Sequence, residues 1–218
     1  MSSTYAYARP ALTVDAVVLG LDTDALKVLL VRRGEEPFKG KWALPGGFVR
    51  VGESPDAAVA RELSEETSVQ VRRLVQLGAY GEPDRDPREH VVTIAFIALT
   101  PVCEHVPAAA TDAVEAAWHP TDGLPGLAFD HARIIADAIA RLRDEADDWE
   151  LGRDLLPARF PLRSLQELHE RILGRVLDKR NFRRDALASG HIEELNLWES
   201  GVNHRAARLF RFTRRRRS

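Results

Sequence analysis

The chain has 218 residues and a formal net charge of −2, and 44% of its residues are apolar, which is enough for one large or two smaller packed domains. Its single cysteine, Cys103, excludes a disulfide within the chain and favours a reducing compartment. Because no apolar run approaches the roughly 20 residues of a membrane span and the first ten residues lack a signal-peptide pattern, we predict a cytoplasmic protein without a membrane partner.

The first part of the chain is predicted to be rich in strands. Two β-rich runs, Thr13–Leu21 and Leu26–Val31, are separated by a short turn-like spacer and predict a hairpin. Trp42–Val49 contains a Pro-Gly-Gly breaker, which indicates a strand end or a loop. Further strands are predicted at Val71–Ala79 and His90–Leu99, which the charged connection 81–89 joins, and a short one at Ala116–His119.

Two helices complete this first part. Ser54 is a suitable cap for the helix Ser54–Thr67, and Pro55 suits its first position. His131–Asp144 has apolar residues at helical spacing, and the acidic cluster Asp144–Glu150 after it marks a domain border. The side of the first helix that we predict to pack on a sheet carries Ala57, Val59, Ala60 and Leu63.

The first predicted helix also concentrates carboxylates. Residues three and four apart share a helix face, so Glu62, Glu65 and Glu66 come together, and Glu53 precedes them. Like charges this close repel each other and favour a cation, and carboxylate oxygens suit Mg²⁺ or Mn²⁺. Such a metal would bind a pyrophosphate and activate water for its hydrolysis. The spacing alone is equally consistent with an acidic helix face exposed to solvent.

The stretch from Gly47 to Val69 resembles the Nudix box, in which a glycine, a glutamate, an Arg-Glu pair and a Glu-Glu pair recur at fixed spacing. The resemblance implies a Nudix fold, an α/β/α sandwich around a mixed sheet in an α+β protein, which we place at residues 10–150. It also implies that Glu53, Glu62, Glu65 and Glu66 are metal ligands, that Glu65 and Glu66 are the candidates for catalysis, and that Arg61 orients a glutamate by an ion pair. The matching residues are Gly47, Glu53, Arg61, Glu62, Leu63, Glu65, Glu66 and Val69.

Three further features bear on this candidate site. The Gly46–Gly47 pair is predicted to let the backbone turn sharply and approach a ligand. Trp42 is a candidate for stacking on adenine, and an ordinary core aromatic is the alternative. Ser68 stands where the Nudix box has the glycine that ends the helix, which costs about 1 kcal/mol or remodels the helix end. Because Ser68 removes no carboxylate, hydrolysis like that of an ADP-ribose pyrophosphatase stays open, although we favour a non-catalytic or weakly active Nudix domain.

Residues 155–213 predict a second domain. Ser164 is a suitable cap for the helix Leu165–Gly174, and Asp178 for the helix Lys179–Ser189, which Gly190 closes. Two strand-like runs follow, joined by a Gly- and Asn-containing tip. A helix, a short turn and a helix followed by a hairpin are typical of a winged helix-turn-helix. The two strand-like runs are Ile192–Trp198 and Ala207–Phe212.

The charge of the chain favours DNA as the partner of this second domain. Residues 1–152 have a formal charge of −10, whereas residues 153–218 have +8. With Phe182 and Ala186 facing the core, Arg180 and Arg184 point outward, and arginine and asparagine suit guanine and adenine in the major groove. The basic tail 214–218 adds salt-sensitive affinity. The predicted contacts to double-stranded DNA are Lys179, Arg180, Asn181, Arg183 and Arg184 on the helix, with His204 and Arg205 at the wing tip.

The succession of a Nudix box, AFDHARII, SLQELHERILGRVLDKRNFRRDALASG and NHRAARLFRF resembles the NrtR family of Nudix-related transcriptional regulators. The resemblance implies a dimeric repressor of NAD-biosynthesis or related genes that senses ADP-ribose or a similar nucleotide and binds a palindromic operator. Some members of the wider group sense sugars or sugar phosphates. Two alternatives are a plain Mg-dependent Nudix hydrolase of ADP-ribose or another nucleoside diphosphate derivative, and a regulator that slowly consumes its inducer.

Overall fold

A computed structural model describes residues 9–21, 25–102, 113–145, 152–201 and 205–213. Cys103, His204, the tail 214–218 and most of the acidic cluster predicted as a domain border lie outside these residues. The chain divides into two compact units, Met1–Gly20 with Lys27–Ala138 and Leu21–Leu26 with Ile139–Ser218. The borders predicted at residues 150 and 155 stay predictions. No described helix is long and apolar enough to cross a membrane.

The first unit is built on a mixed sheet of seven described strands. Their order is β3-β2-β1-β6-β5, with β4 paired to β1 and β7 paired to β2. The last strand is longer than predicted, because it pairs along nearly the whole length of β2, from Lys27 opposite Pro120 to Arg33 opposite Ala113. The strands are β1 (Ala11–Leu21), β2 (Leu26–Arg33), β3 (Trp42–Ala43), β4 (Gly46–Phe48), β5 (Val75–Tyr80), β6 (Val91–Pro101) and β7 (Ala113–Pro120).

Helix α1 (Pro55–Thr67) begins as predicted. The side chain of Ser54 accepts a hydrogen bond from the N–H of Ala57, and Pro55 opens the first turn. The predicted packing side of α1 is correct for Val59 and Leu63, which are buried. It is wrong for Ala57 and Ala60, which are exposed. The buried stripe is rotated toward Ala58, and this rotation brings the Glu62–Glu66 edge of the helix toward the protein interior.

Both faces of the central strand are covered, which agrees with the predicted α/β/α sandwich. Val14, Ala16 and Val18 of β1 pack with α1 in one apolar cluster. Val17 and Leu19 point to the opposite face, because side chains alternate along a strand, and they are fully buried as well. Helix α2 (His131–Asp144) has the predicted bounds, and its residues Ile134, Ile135, Ala138 and Leu142 are buried.

The second unit has the predicted winged helix arrangement. Helices α3 (Leu162–Leu173) and α4 (Lys179–Ala188) accompany a three-stranded sheet of order β8-β10-β9. Its apolar core includes Phe160, Leu168 and Phe210, all at most 1% exposed. The strands are β8 (Phe160–Pro161), β9 (Ile192–Trp198) and β10 (Arg208–Phe212).

The predicted start of the first of these helices is wrong. α3 begins at Leu162, its cap is Pro161 without a side-chain hydrogen bond, and Ser164 lies inside the helix. The reason is tertiary, because Phe160 and Pro161 pair with β10 and deliver the chain directly into the helix. The other ends follow local signals. Gly174 ends α3 in the left-handed region with φ 66°, and Asp178 caps α4 by accepting from the N–H of Asn181 at 2.8 Å.

Candidate functional site

A cleft of about 430 Å³ lies in the first unit, within the size range of small-molecule sites. The strands β1, β2 and β4, the helix α1, the connection before β6 and the start of α2 all contribute to it. Its walls combine carboxylates with arginines. The lining includes Asp15, Arg33, Gly46, Gly47, Phe48, Arg50, Glu62, Glu66, Arg85, Asp86, Arg88, Phe129 and His131.

Arg61 is the centre of the predicted carboxylate cluster. Its guanidinium donates to both oxygens of Glu53 at 2.8 and 2.9 Å, to Glu62 at 2.7 Å and to Glu65 at 3.1 Å. The hydrogen bonds that Arg61 donates to Glu53 lower the pKa of Glu53 to about 2, and the same bonds raise the pKa of Arg61. Arg61 therefore orients three glutamates by ion pairs, where the sequence predicted one.

Glu66 is held differently from the other three glutamates. It is half-buried, and its Oε2 accepts a hydrogen bond from the N–H of Gly46 at 2.9 Å. Burial raises the pKa of Glu66 to about 8; the hydrogen bond from Gly46 lowers it, and the nearby carboxylates of Glu62 and Asp15 raise it. A bound cation would favour the ionised form of this carboxyl group.

The four glutamates predicted as metal ligands do not all face the cleft. Glu62 and Glu66, four residues apart on α1, line it, whereas Glu53 and Glu65 do not. Among the residues that the structure describes, no group of three or more Asp, Glu, His or Cys side chains is arranged to hold a metal ion. The metal site, and the catalytic roles of Glu65 and Glu66, stay predictions.

The Gly46–Gly47 pair lies in β4 rather than in the predicted sharp turn, and close packing explains both glycines. A Cβ on Gly46 would lie 2.1 Å from the carbonyl oxygen of Val14 on the paired strand. A Cβ on Gly47 would lie 2.6 Å from a carboxylate oxygen of Glu62. Any larger residue at this position would displace the side chain of Glu62. Gly47 therefore allows the observed arrangement of the carboxylate cluster.

Ser68 retains the helix end that glycine would provide. Its backbone has φ 58° and ψ 11°, in the left-handed region, and its N–H donates to the carbonyl oxygen of Ser64. The helix end is therefore not remodelled: Ser68 adopts the left-handed conformation, for which a cost of about 1 kcal/mol is expected.

Trp42 lies outside the lining of the cleft. Its indole packs edge-on against His119, with ring centroids 4.3 Å apart. The aromatic side chains that do line the cleft are Phe48 and Phe129. Stacking of Trp42 on adenine stays a prediction.

Sequence reasoning missed a buried ionic cluster at the floor of the cleft. Arg85 donates to both oxygens of Asp130, the shortest contact being 2.6 Å, and lies 3.6 Å from Asp15. Nδ1 of the buried His131 accepts from the N–H of Leu44 at 2.8 Å, and burial lowers the pKa of His131. These residues come from β1, a connecting segment and α2. The AFDHARII stretch contains two of them, but no spacing rule joins it to Arg85.

The DNA contacts predicted on α4 share one exposed surface. Lys179, Arg180, Asn181, Arg183 and Arg184 are all exposed, while Phe182 and Ala186 are buried as predicted. Arg184 donates to the neighbouring Asp185 at 2.9 Å. Arg205, near the wing tip, is exposed, and His204 lies outside the described residues. Their contacts with DNA stay predictions.

Comparison with protein families assigns two successive parts of the chain to two different domain families. Residues 9–141 match the NUDIX domain family, and residues 152–212 match the NrtR DNA-binding winged helix domain family. The "ADPR responsive transcriptional repressor NtrR" of Acinetobacter baylyi is 34% identical over 94% of this chain and 83% of its own length. An "ADP-ribose pyrophosphatase" of Methanocaldococcus jannaschii is 46% identical over 60% of this chain and 74% of its own.

The solved structures that resemble the chain include two of NrtR from Shewanella oneidensis. Shewanella oneidensis NrtR complexed with a 27mer DNA has a TM-score of 0.77 and 33% identity, and the match covers 93% of each chain. The Nudix domain of the same protein complexed with ADP ribose has a TM-score of 0.59 and 37% identity over 63% of this chain and 91% of that one. The DNA complex matches both units of this chain. The part of this chain that the ADP-ribose complex matches is about as long as the matched NUDIX domain.

Proposed function

The chain belongs to the NrtR family of Nudix-related regulators, and from this premise we propose that it is a transcriptional repressor whose Nudix domain senses ADP-ribose or a similar nucleotide. Its target is double-stranded DNA, read by the winged helix domain. The family relationship supports an NAD-related regulon, because the relative from Acinetobacter baylyi is named for its response to ADP-ribose.

The main support for DNA binding is the arrangement of helix α4. One side of this helix exposes cations to solvent, and its other side is buried in the core of the winged helix domain. Four Lys or Arg side chains and Asn181 are exposed on α4, and Phe182 and Ala186 hold the helix in the winged helix domain. A helix of this kind fits the major groove, where arginine recognises guanine and asparagine recognises adenine. The flanking cations neutralise phosphate.

We expect two copies of the chain to bind a palindrome. In a dimer, two such helices would read half-sites about one helical turn, roughly 34 Å, apart or a multiple of it. A nucleotide bound in the cleft would release the operator if it prefers a dimer shape in which the helices no longer match this spacing. The dimer, the palindrome and the cytoplasmic location are predictions from the sequence.

The decisive experiment separates DNA binding from ligand binding. Changing both Arg180 and Arg184 to alanine should lower the affinity for promoter DNA at least a hundredfold, because two groove-facing cations are lost. ADP-ribose binding, measured by calorimetry, should not change. The matched control changes Arg72 and Arg73, exposed arginines of the Nudix domain, to alanine and removes the same charge away from α4. Equal DNA affinities for both double variants would contradict the proposal.

A second function, hydrolysis of the bound nucleotide, is favoured by the carboxylates of α1. Glu62 and Glu66 line the cleft, and Glu66 is a desolvated carboxyl group next to other carboxylates, which suits Mg²⁺ or Mn²⁺. Glu62 and Glu66 would hold the ion, with Glu53 and Glu65 positioned through Arg61. When bound, such a metal supplies an activated water and charge stabilisation. Release of AMP from ADP-ribose in the presence of Mg²⁺, lost in the E65Q/E66Q variant, would establish this function.

A further inference from the structure

Among the residues that the structure describes, none is a counter-ion in contact with Arg33, an arginine of the cleft. Arg33 lies at the end of β2, is half-buried and lines the cleft. Its Nε donates to the carbonyl oxygen of Pro37 at 2.7 Å, but neither of its Nη groups makes a hydrogen bond or an ion pair with a described residue. The other four guanidinium groups of the cleft have carboxylate partners. These pairs are Arg32 with Glu115, Arg50 with Glu65, Arg85 with Asp130 and Arg88 with Asp86.

Arg33 packs on one phenylalanine, which in turn packs against a second. The guanidinium lies over the ring of Phe129, 4.9 Å from its centroid, and the ring of Phe38 packs edge-on against Phe129 at 4.9 Å. Both phenylalanines have positive φ, 65° at Phe38 and 52° at Phe129, a conformation that is uncommon for a bulky residue. Such strain costs about 1–3 kcal/mol per residue and tends to occur at ligand sites. The segment around Arg33 is therefore organised before any ligand binds.

The electrostatic environment of Arg33 favours an anion. Burial lowers the pKa of Arg33, and the neighbouring cation Arg88 lowers it further, while Glu66, Asp86 and Glu35 act in the opposite direction without contacting it. A partly desolvated guanidinium without a contacting anion is costly, and an anionic ligand would relieve this cost. Guanidinium groups bind phosphate oxygens through two parallel N–H donors, and Arg33 has its terminal donors available.

We infer that Arg33 is the anchor for the phosphate groups of the effector, with Arg88 beside it, so that the charged centre of the ligand is bound by arginine without a divalent cation. The ligand class is a phosphate ester or diphosphate, which a nucleoside diphosphate sugar and a sugar phosphate share. This inference rests on the proposed function in assuming that an effector enters the cleft. The glutamates of α1 would then be needed for hydrolysis and not for sensing.

Calorimetry of the full-length protein in EDTA tests the assignment, with ADP-ribose, ribose 5-phosphate and uncharged adenosine as ligands. We expect ADP-ribose to bind in EDTA with an affinity within threefold of that in Mg²⁺. The R33Q variant should bind ADP-ribose at least tenfold more weakly. R33K, which keeps the charge but loses the planar pair of donors, should lie between R33Q and the wild type. The R72Q variant removes the same charge outside the cleft and should bind like the wild type.

Different outcomes would overturn the role of Arg33 and the proposed sensing function. Equal ADP-ribose affinities for R33Q and R72Q, or binding that disappears in EDTA, would overturn the role of Arg33 while leaving the regulator intact. If the wild type binds none of the phosphate ligands with or without Mg²⁺, the proposed sensing function fails as well. Ribose 5-phosphate binding as tightly as ADP-ribose would identify a sugar phosphate as the source of the anion. A thermal unfolding midpoint of R33Q equal to that of the wild type shows that the variant is folded.

Discussion

At the scale of single residues, the Nudix box of this chain is organised by hydrogen bonds to Arg61. The motif predicts that Arg61 orients one glutamate, and the structure shows the guanidinium joined to Glu53, Glu62 and Glu65. Gly47 is required because Glu62 packs against its Cα, where a Cβ would lie 2.6 Å from a carboxylate oxygen. The geometry of the Nudix box therefore depends on close packing as well as on ion pairs.

The single departure from the motif leads to a stability prediction. Ser68 has φ 58°, a conformation that glycine adopts without strain. Ser68→Gly should therefore raise the free energy of unfolding by about 0.5–1 kcal/mol, measured by urea denaturation. Ser64→Gly, an exposed position inside the same helix, is the control and should lower it by roughly 0.5 kcal/mol or more. A loss of stability in S68G would show that the left-handed backbone is not strained.

At the scale of elements, α4 depends on a cap as well as on a core. Asp178 accepts from the N–H of Asn181 at 2.8 Å, which fixes the first turn, where Lys179, Arg180 and Asn181 lie. Phe182 and Ala186 are the buried residues of this helix and hold its other side. The orientation of the cationic surface thus follows from the helix cap and from the apolar residues of α4, and both are recognisable in the sequence.

Removing the cap should weaken both the fold and DNA binding. We expect Asp178→Ala to destabilise the winged helix domain by about 1 kcal/mol and to lower the affinity for promoter DNA. Asp178→Asn removes the same charge but keeps a side-chain acceptor, so it should restore both properties in thermal unfolding and gel-shift measurements. If D178A and D178N behave alike, the charge and not the cap determines the effect.

At the scale of the whole molecule, the N-terminal and C-terminal parts of the sequence carry opposite charge. The formal charge is −10 over residues 1–152 and +8 over residues 153–218, which include all the predicted DNA contacts. A positive charge attracts the phosphate backbone of DNA to the C-terminal part of the chain, and counter-ions are released on binding. The small anion that we propose as effector would instead bind to arginines inside the cleft of about 430 Å³.

This division predicts different salt dependences for the two ligands. For roughly five phosphate contacts, the affinity for promoter DNA should fall about 10²- to 10³-fold between 50 and 200 mM salt. The affinity for ADP-ribose should change much less, since one or two arginines contact its phosphates. Removing residues 214–218 should make the DNA slope shallower without affecting the nucleotide. A DNA affinity independent of salt would contradict the charge assignment.

The sequence by itself determined the features that local physics controls. Periodicity and capping predicted the bounds of α2 and the caps of α1 and α4, and the spacing of Glu53, Arg61 and Glu66 identified the Nudix box. These features depend on residues within a few turns of each other, so a short stretch contains the whole signal. The order of the modules in turn indicated the regulator family, which the comparisons confirm.

Only the tertiary structure decided which side chains share the cleft. Asp15, Arg33, Arg85 and His131 come from separate elements, and their proximity results from strand pairing and helix packing over long sequence distances. The same long-range contacts rotated the buried stripe of α1, placed Trp42 outside the cleft and started α3 at Leu162. Local patterns do not contain this information, because a side chain's neighbours in a sheet are set by the register of distant strands.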